Sequence, residues 1–175
     1  MKKILLAAIA VGIMGGGAFW YVQSHSNGPA LDYKNATYTI EGVSVRLVDG
    51  SAETSVGFGS TAKTITKRFG NEATGDLNGD GTPDAAFLLT QSRGGSGTFY
   101  YVAVAVNTSA GYQGTNAVLL GDRIAPQSTQ IKNGTLIVNY AERKPSEPMT
   151  ATPSMGVTKR FALKELTLIE VRSGR

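Results

Sequence analysis

Hydrophobic and polar positions divide this chain into two regimes. Residues 4 to 22 form an unbroken run without a charge, whereas from about Ala36 onward apolar residues come in short stretches punctuated by glycine, asparagine, aspartate and proline. Those later stretches alternate with period two, the mark of a strand with one buried face, and none keeps the 3.6-residue period of an amphipathic helix. Tyr38 and Ile40, then Val43, Val45 and Leu47, predict two short strands joined or bent at Gly42, and Asp49-Gly50 predicts a turn. Residues 51 to 62, rich in Gly, Ser and Thr, read as a loop, and residues 63 to 69 as a strand closed by Gly70-Asn71. Residues 85 to 90 fit a buried strand. Residues 98 to 107 carry β-branched and aromatic side chains at both parities, which predicts a strand covered on both faces, with residues 117 to 120 as its partner. Asn133-Gly134 predicts a type I′ hairpin, because both central positions of that turn need positive φ. Residues 142 to 156, with Pro145, Pro148 and Pro153, read as an irregular excursion before two last strands at 157 to 163 and 166 to 171. The expected fold is mainly β, a single antiparallel β-sandwich or curled meander behind an N-terminal membrane helix.

Lys2 and Lys3 ahead of the apolar run give it the character of a targeting segment, since two cations hold the N-terminus inside while the run enters the bilayer. Its nineteen residues just span about 30 Å of hydrocarbon as a helix, with Phe19, Trp20 and Tyr21 at interfacial depth. A retained signal anchor is the expectation; Gly16-Gly17-Ala18 offers a signal peptidase the alternative of cleavage. The organisation read from this is a signal anchor or signal peptide at 1–22, a tether at 23–32 and an extracytoplasmic β-domain at 33–172. It places the domain in a bacterial cell envelope, on the outer side of the cytoplasmic membrane, or secreted where the leader is removed.

Composition narrows the function. The net charge is +4, and without Lys2 and Lys3 about +2 remains, with the cations dispersed along the sequence instead of clustered on one segment. Such a chain lacks the basic face that a phosphate backbone requires, so nucleic acid is not an expected partner. Cysteine is absent, which removes lipid attachment, disulfides and thiol nucleophiles together. The single histidine, His25, lies in the tether, away from any triad or histidine-based zinc site.

Residues 76 to 84 read DLNGDGTPD and hold the most specific pattern in the chain. Oxygen-bearing side chains at alternate positions of a glycine turn match what a hard cation asks of its ligands, and the expected cofactor is Ca2+. Its candidate ligands are Asp76, Asn78, Asp80, the Thr82 carbonyl and Asp84, with a further ligand from Glu72, Asp122 or Asp49. The alternative is a turn whose side chains cap their own backbone. Three carboxylates so close repel unless something offsets their charge. The segment resembles the calcium loops of integrin-type (FG-GAP) β-propeller repeats, dockerins and EF-hands over these nine residues. The EF-hand pattern fails at its twelfth place, where a bidentate Glu is required and Phe87 stands. The integrin-type arrangement, a loop followed directly by an apolar strand, is the closer resemblance, and it implies a structural calcium site.

Little else carries chemistry. Residues 92 to 97, SRGGSG, lack the spacing and the strand-to-helix setting of a nucleotide-binding loop. Asp122-Arg123 at a strand end, with Arg143 beyond another, form a candidate anion or ion-pair site. Paired carboxylates drawn from Glu41, Asp122, Glu142, Glu147 and Glu165 are the one catalytic option, as in a glycan hydrolase. Tyr100, Tyr101, Tyr112 and Tyr140 are candidates for a face that stacks on a glycan or a protein ligand. The function read from sequence is a membrane-tethered or secreted, non-catalytic binding domain stiffened by calcium, with a carboxylate-dependent glycan hydrolase as the alternative.

Overall fold

The computed structural model describes residues 32–55 and 62–171. A 3-10 turn at Tyr33–Asn35 leads into twelve strands: β1 (Thr37–Ile40), β2 (Val43–Arg46), β3 (Ser51–Ser55), β4 (Lys63–Gly75), β5 (Asp84–Ser92), β6 (Phe99–Thr108), β7 (Gly111–Gly114), β8 (Asn116–Asp122), β9 (Ala125–Lys132), β10 (Thr135–Glu142), β11 (Met155–Lys164) and β12 (Thr167–Glu170). Eight of them make one large sheet in the order β2-β1-β8-β6-β5-β4-β3, with β7 paired beside β6, and four make a smaller antiparallel sheet in the order β12-β11-β10-β9. The large sheet is mixed, because β1 runs parallel to β8 through Thr39↔Asn116 and Ile40↔Ala117. It curls until its end strands β2 and β3 meet, so that it is nearly closed into a barrel. Among the described strands that contact is the departure from the expected antiparallel pairing.

Turn chemistry explains the tight connections. Glu41-Gly42, Asp49-Gly50 and Asn133-Gly134 all have positive φ at both residues, 49° and 79°, 49° and 79°, and 50° and 67°, which suits the twist of the flanking strands. The Asn133-Gly134 turn joins β9 to β10 as the sequence predicts. Residues 51 to 55, expected in a loop, are instead strand β3, paired with β4 from Ser51↔Lys67 to Ser55↔Lys63. The segment alternates polar with small residues and has no large apolar side chain to advertise a buried face. Pairing comes from β4, which runs on to Gly75 past the register shifts around Gly70.

Burial follows the two-sided pattern of the central strands. Within β5, Ala86 and Leu88 pack with Val102 and Val104 of β6 against Leu136, Val138 and Tyr140 of β10 and Phe161 of β11, forming the core between the sheets. The opposite parity, Ala85, Phe87 and Leu89 with Tyr101, Ala103 and Ala105, packs inside the curl with Tyr38, Ile40, Val45 and Leu47. The prediction that residues 98 to 107 are covered on both faces thus agrees with the structure. Phe87 meets Tyr33 and Tyr38 at centroid distances of 5.4 and 5.5 Å, the latter edge to face.

The expected membrane-crossing helix falls on none of the described residues, and no helix among these is long and apolar enough to cross a membrane. The run at 4 to 22 that prompted it, and the tether up to residue 31, lie outside the described residues.

Candidate functional site

The acidic loop connects β4 to β5, and its left-handed glycines Gly79 and Gly81, at φ 84° and 82°, turn the backbone so that its N–H groups point inward. Asp76 accepts from Gly79 N at 2.7 Å through Oδ1 and from Gly81 N at 2.9 Å through Oδ2. Asp80 accepts from Thr82 N at 2.7 Å and from the Asn78 amide at 2.8 Å, while Asn78 Oδ1 accepts from Asp80 N at 3.0 Å. Asp84 is fully buried and accepts from Leu77 N at 3.1 Å and from Asn107 N at 2.9 Å. The Asn78 amide and the Thr82 N–H hold the Asp80 carboxyl below its usual range.

These contacts correct the calcium assignment. Each of the six carboxylate oxygens of Asp76, Asp80 and Asp84 receives an N–H donor. The repulsion expected among three carboxylates is offset by backbone and amide dipoles in the manner of side-chain-capped turns. Among the described residues no group of three or more His, Cys, Asp or Glu side chains is placed to hold a metal ion. Of the groups offered as a further ligand, Glu72 pairs with Arg68 and Asp122 with Arg123. The Ca2+ and metal-binding expectation is therefore withdrawn. Sequence spacing could not distinguish the two outcomes, because a cation loop and a self-capped turn use the same residue types at the same intervals.

Asp122, Arg123 and Arg143 do come together. Arg123 adopts φ 48° at the β8 end and returns its guanidinium to Asp122 at 2.8 Å, while Asp122 Oδ1 also accepts from Thr98 N at 2.9 Å. Arg143 donates to the Asp122 and Arg123 carbonyl oxygens at 2.9 and 3.1 Å. The Arg123 bond, joined by the Thr98 N–H, keeps the Asp122 carboxyl below its usual range despite partial burial. The arrangement ties the end of β8 to residues beyond β10, and its guanidiniums are engaged with protein oxygens.

A second polar cluster escaped the sequence reading. Glu41, at the left-handed β1–β2 turn, accepts from the Tyr101 hydroxyl at 2.8 Å and from Arg93 at 2.6 Å, and Arg93 also reaches Tyr101 at 3.0 Å and Gln91 at 3.0 Å. The Tyr101 hydrogen bond, with Arg93 beside it, lowers the Glu41 pKa against the effect of burial. Burial and Glu41 together push the Tyr101 phenol up to about 12. Sixty residues separate Glu41 from Tyr101, and no local spacing signals their meeting.

The tyrosine face expected for ligand stacking is not assembled. Tyr101 and Tyr140 are core residues at 0% and 1% exposure. Tyr100 stacks edge-on with Phe69 and Tyr112 with Tyr33. Of the five carboxylates of the hydrolase reading, three are engaged in ion pairs, Glu41 with Arg93, Asp122 with Arg123 and Glu147 with Lys144.

A groove lies elsewhere, at the seam of the curled sheet. It measures about 620 Å³ and is lined by Arg46 and Val48 on the β2 side and by Ser51, Ala52, Glu53, Thr54, Ile65 and Lys67 on the β3–β4 side. Comparison with protein-family models, with curated proteins and with solved structures yields no match to this chain.

Proposed function

We propose that this chain is an extracytoplasmic binding domain of a bacterial envelope that acts without catalysis on a glycan or protein ligand. The leader pattern, Lys2-Lys3 and the uncharged run behind it, supports delivery to the outer side of the cytoplasmic membrane or beyond. The observation that carries the reading is the open seam: a groove of about 620 Å³ lies between strand edges, while the polar clusters built into the fold are spent on internal pairs. Catalysis by two carboxylates asks for one of raised and one of ordinary affinity for protons. The carboxylates that do shift, Glu41, Glu53, Asp80 and Asp122, all shift downward.

Export is tested by fusing alkaline phosphatase, which matures only outside the cytoplasm, to the C-terminus of the full chain. The expected result is an active fusion that becomes inactive when Lys2 and Lys3 are retained and the run at 4 to 22 is deleted. Phosphatase activity independent of that run would overturn the location. Turnover of polysaccharide or chromogenic glycosides that is abolished by Glu41→Gln or Glu147→Gln would overturn the non-catalytic reading.

A further inference from the structure

We infer that Asn133 is a site of covalent modification: its side-chain amide is lost to ring closure by the Gly134 nitrogen, leaving an aspartyl or isoaspartyl residue at the tip of the β9–β10 hairpin. The inference is independent of the binding-domain reading. Asparagine is a thermolabile residue, and a glycine after it presents the attacking nitrogen without a shielding Cβ. Asn-Gly occurs twice among the described residues, at Asn78-Gly79 in the acidic loop and at Asn133-Gly134. All four residues are exposed, so access to water does not separate the two sites.

Hydrogen bonds do separate them. In the acidic loop Asn78 Oδ1 accepts from Asp80 N at 3.0 Å and the Asn78 amide donates to Asp80 at 2.8 Å, so that Cγ is held from both sides. The nitrogen that would attack it, Gly79 N, donates to Asp76 Oδ1 at 2.7 Å. Ring closure there must break all three bonds. At the hairpin, the Asn133 side chain and the Gly134 N–H have no hydrogen-bond partner among the described residues. Both residues sit at positive φ, and bringing the nitrogen onto Cγ requires an opening confined to the terminal Lys132↔Thr135 pair of the ladder.

The step balances without an oxidant or reductant. Gly134 N gives up its proton and bonds to Asn133 Cγ; the Cγ–Nδ2 bond breaks, and the amide nitrogen leaves as ammonia with that proton. Water then opens the cyclic imide. Cleavage of the new Cγ–N bond restores the ordinary backbone with an aspartyl side chain, which a type I′ turn accepts. Cleavage at the main-chain carbonyl routes the backbone through the side chain and adds a methylene to a two-residue turn. Ile131, two residues before the turn, lies so close to Gly75 at the foot of the acidic loop that a Cβ there would stand 2.9 Å from its Cγ2. The isoaspartyl product is therefore expected to loosen the contact of the hairpin with that loop.

The test warms the full chain in detergent at mildly alkaline pH, maps its peptides by mass spectrometry over time and detects isoaspartate with an isoaspartyl methyltransferase. Asn133 is expected to convert about tenfold faster than Asn78 or more, the weight of one or two hydrogen bonds that Asn78 alone must break. In the urea-unfolded chain the two rates are expected to converge. Asp76→Ala, which frees Gly79 N, is expected to raise the Asn78 rate several-fold, with Asn133 in the same molecule as the internal reference. Equal rates in the folded parent, or an Asn133 that stays intact while Asn78 converts, would overturn the inference. A difference that persists unchanged in urea would assign it to neighbouring sequence and overturn the structural argument, and an Asn78 rate indifferent to Asp76→Ala would overturn the protection ascribed to that bond.

Discussion

Asp84 and Asn107 are joined across the β5–β6 pair by a hydrogen bond from the Asn107 backbone N–H to Asp84 Oδ1 at 2.9 Å, and Asp84 Oδ2 takes the Leu77 N–H at 3.1 Å. One buried carboxylate thus closes the acidic loop onto the central strands. Asp84→Ala leaves two N–H donors without their acceptor, at a cost of about 1–3 kcal/mol for each unsatisfied group. We expect the midpoint of urea unfolding to fall with little change in slope, and Asp84→Asn, which keeps one acceptor oxygen, to lose less. An Asp84→Ala protein as stable as the parent would show that this carboxylate does not hold the loop.

Gly114 is a steric requirement. A Cβ at this position would lie 2.2 Å from the Thr37 carbonyl oxygen and 2.6 Å from the Tyr38 ring, so β1 or β7 must move to admit it. Overpacking of this kind costs roughly 1–3 kcal/mol, and the backbone carbonyl cannot rotate away as a side chain would. Gly114→Ala is therefore expected to lower the melting temperature by several degrees. Gly95→Ala, whose Cβ would meet nothing within 4 Å, is expected to be close to neutral. Equal melting temperatures for the two variants would contradict the close approach.

Three tyrosines couple stability to alkaline pH. Burial raises Tyr38 strongly and lifts Tyr101 and Tyr140 to about 12, with charge from Glu41 adding to Tyr101 and from Glu142 to Tyr140. Each folded value lies above the ordinary phenol value near 10, so the unfolded chain gives up its protons first. The stability these phenols contribute is complete below about pH 10 and is lost as pH rises through their folded values. Phenolate absorbance is expected to show part of the tyrosine signal appearing late and together with unfolding, and Tyr140→Phe to lessen the alkaline loss. A single tyrosine transition near pH 10 with the fold intact would be incompatible with these buried positions.

What the sequence reveals here follows from how local each cause is. The Asn133-Gly134 hairpin is legible because positive φ at two adjacent residues is a property of those residues. Residues 98 to 107 are legible because apolar side chains at both parities have one explanation, burial on two faces. Strand β3 is not, since its polar and small residues are recruited by the edge of β4. Nor is the parallel contact of β1 with β8, which brings Ile40 to Ala117 across 77 positions of chain. At the candidate sites the same division holds. Asp122 and Arg123 are neighbours in sequence and their pairing could be read, whereas the seam depends on where two strands fail to pair, which no motif records. In the acidic loop the residue types were right for a cation, yet the backbone N–H groups that occupy the oxygens are invisible in a sequence.

Glu41 sets two local effects against each other, and pH decides between them. At φ 49° it holds a conformation that costs an L-residue without a short polar side chain about 1–2 kcal/mol. Against this, its carboxylate accepts from Tyr101 and Arg93, and the Tyr101 bond, aided by Arg93, lowers its pKa in the folded state. A folded value below the unfolded one means that the electrostatic contribution is complete above the ordinary glutamate value near 4.3 and disappears as pH falls through the folded value. Glu41→Asn removes the carboxylate and supplies a residue that tolerates the left-handed turn. At neutral pH the variant is expected to be the less stable of the two, because Arg93 and Tyr101 lose their acceptor. Below the folded pKa the native protein has lost that advantage and keeps its strained turn, so the two stability curves should cross or meet. Denaturant midpoints measured at intervals between pH 7 and pH 2.5 test this directly: curves that stay parallel would mean that the Glu41 carboxylate contributes nothing to the seam side of the fold.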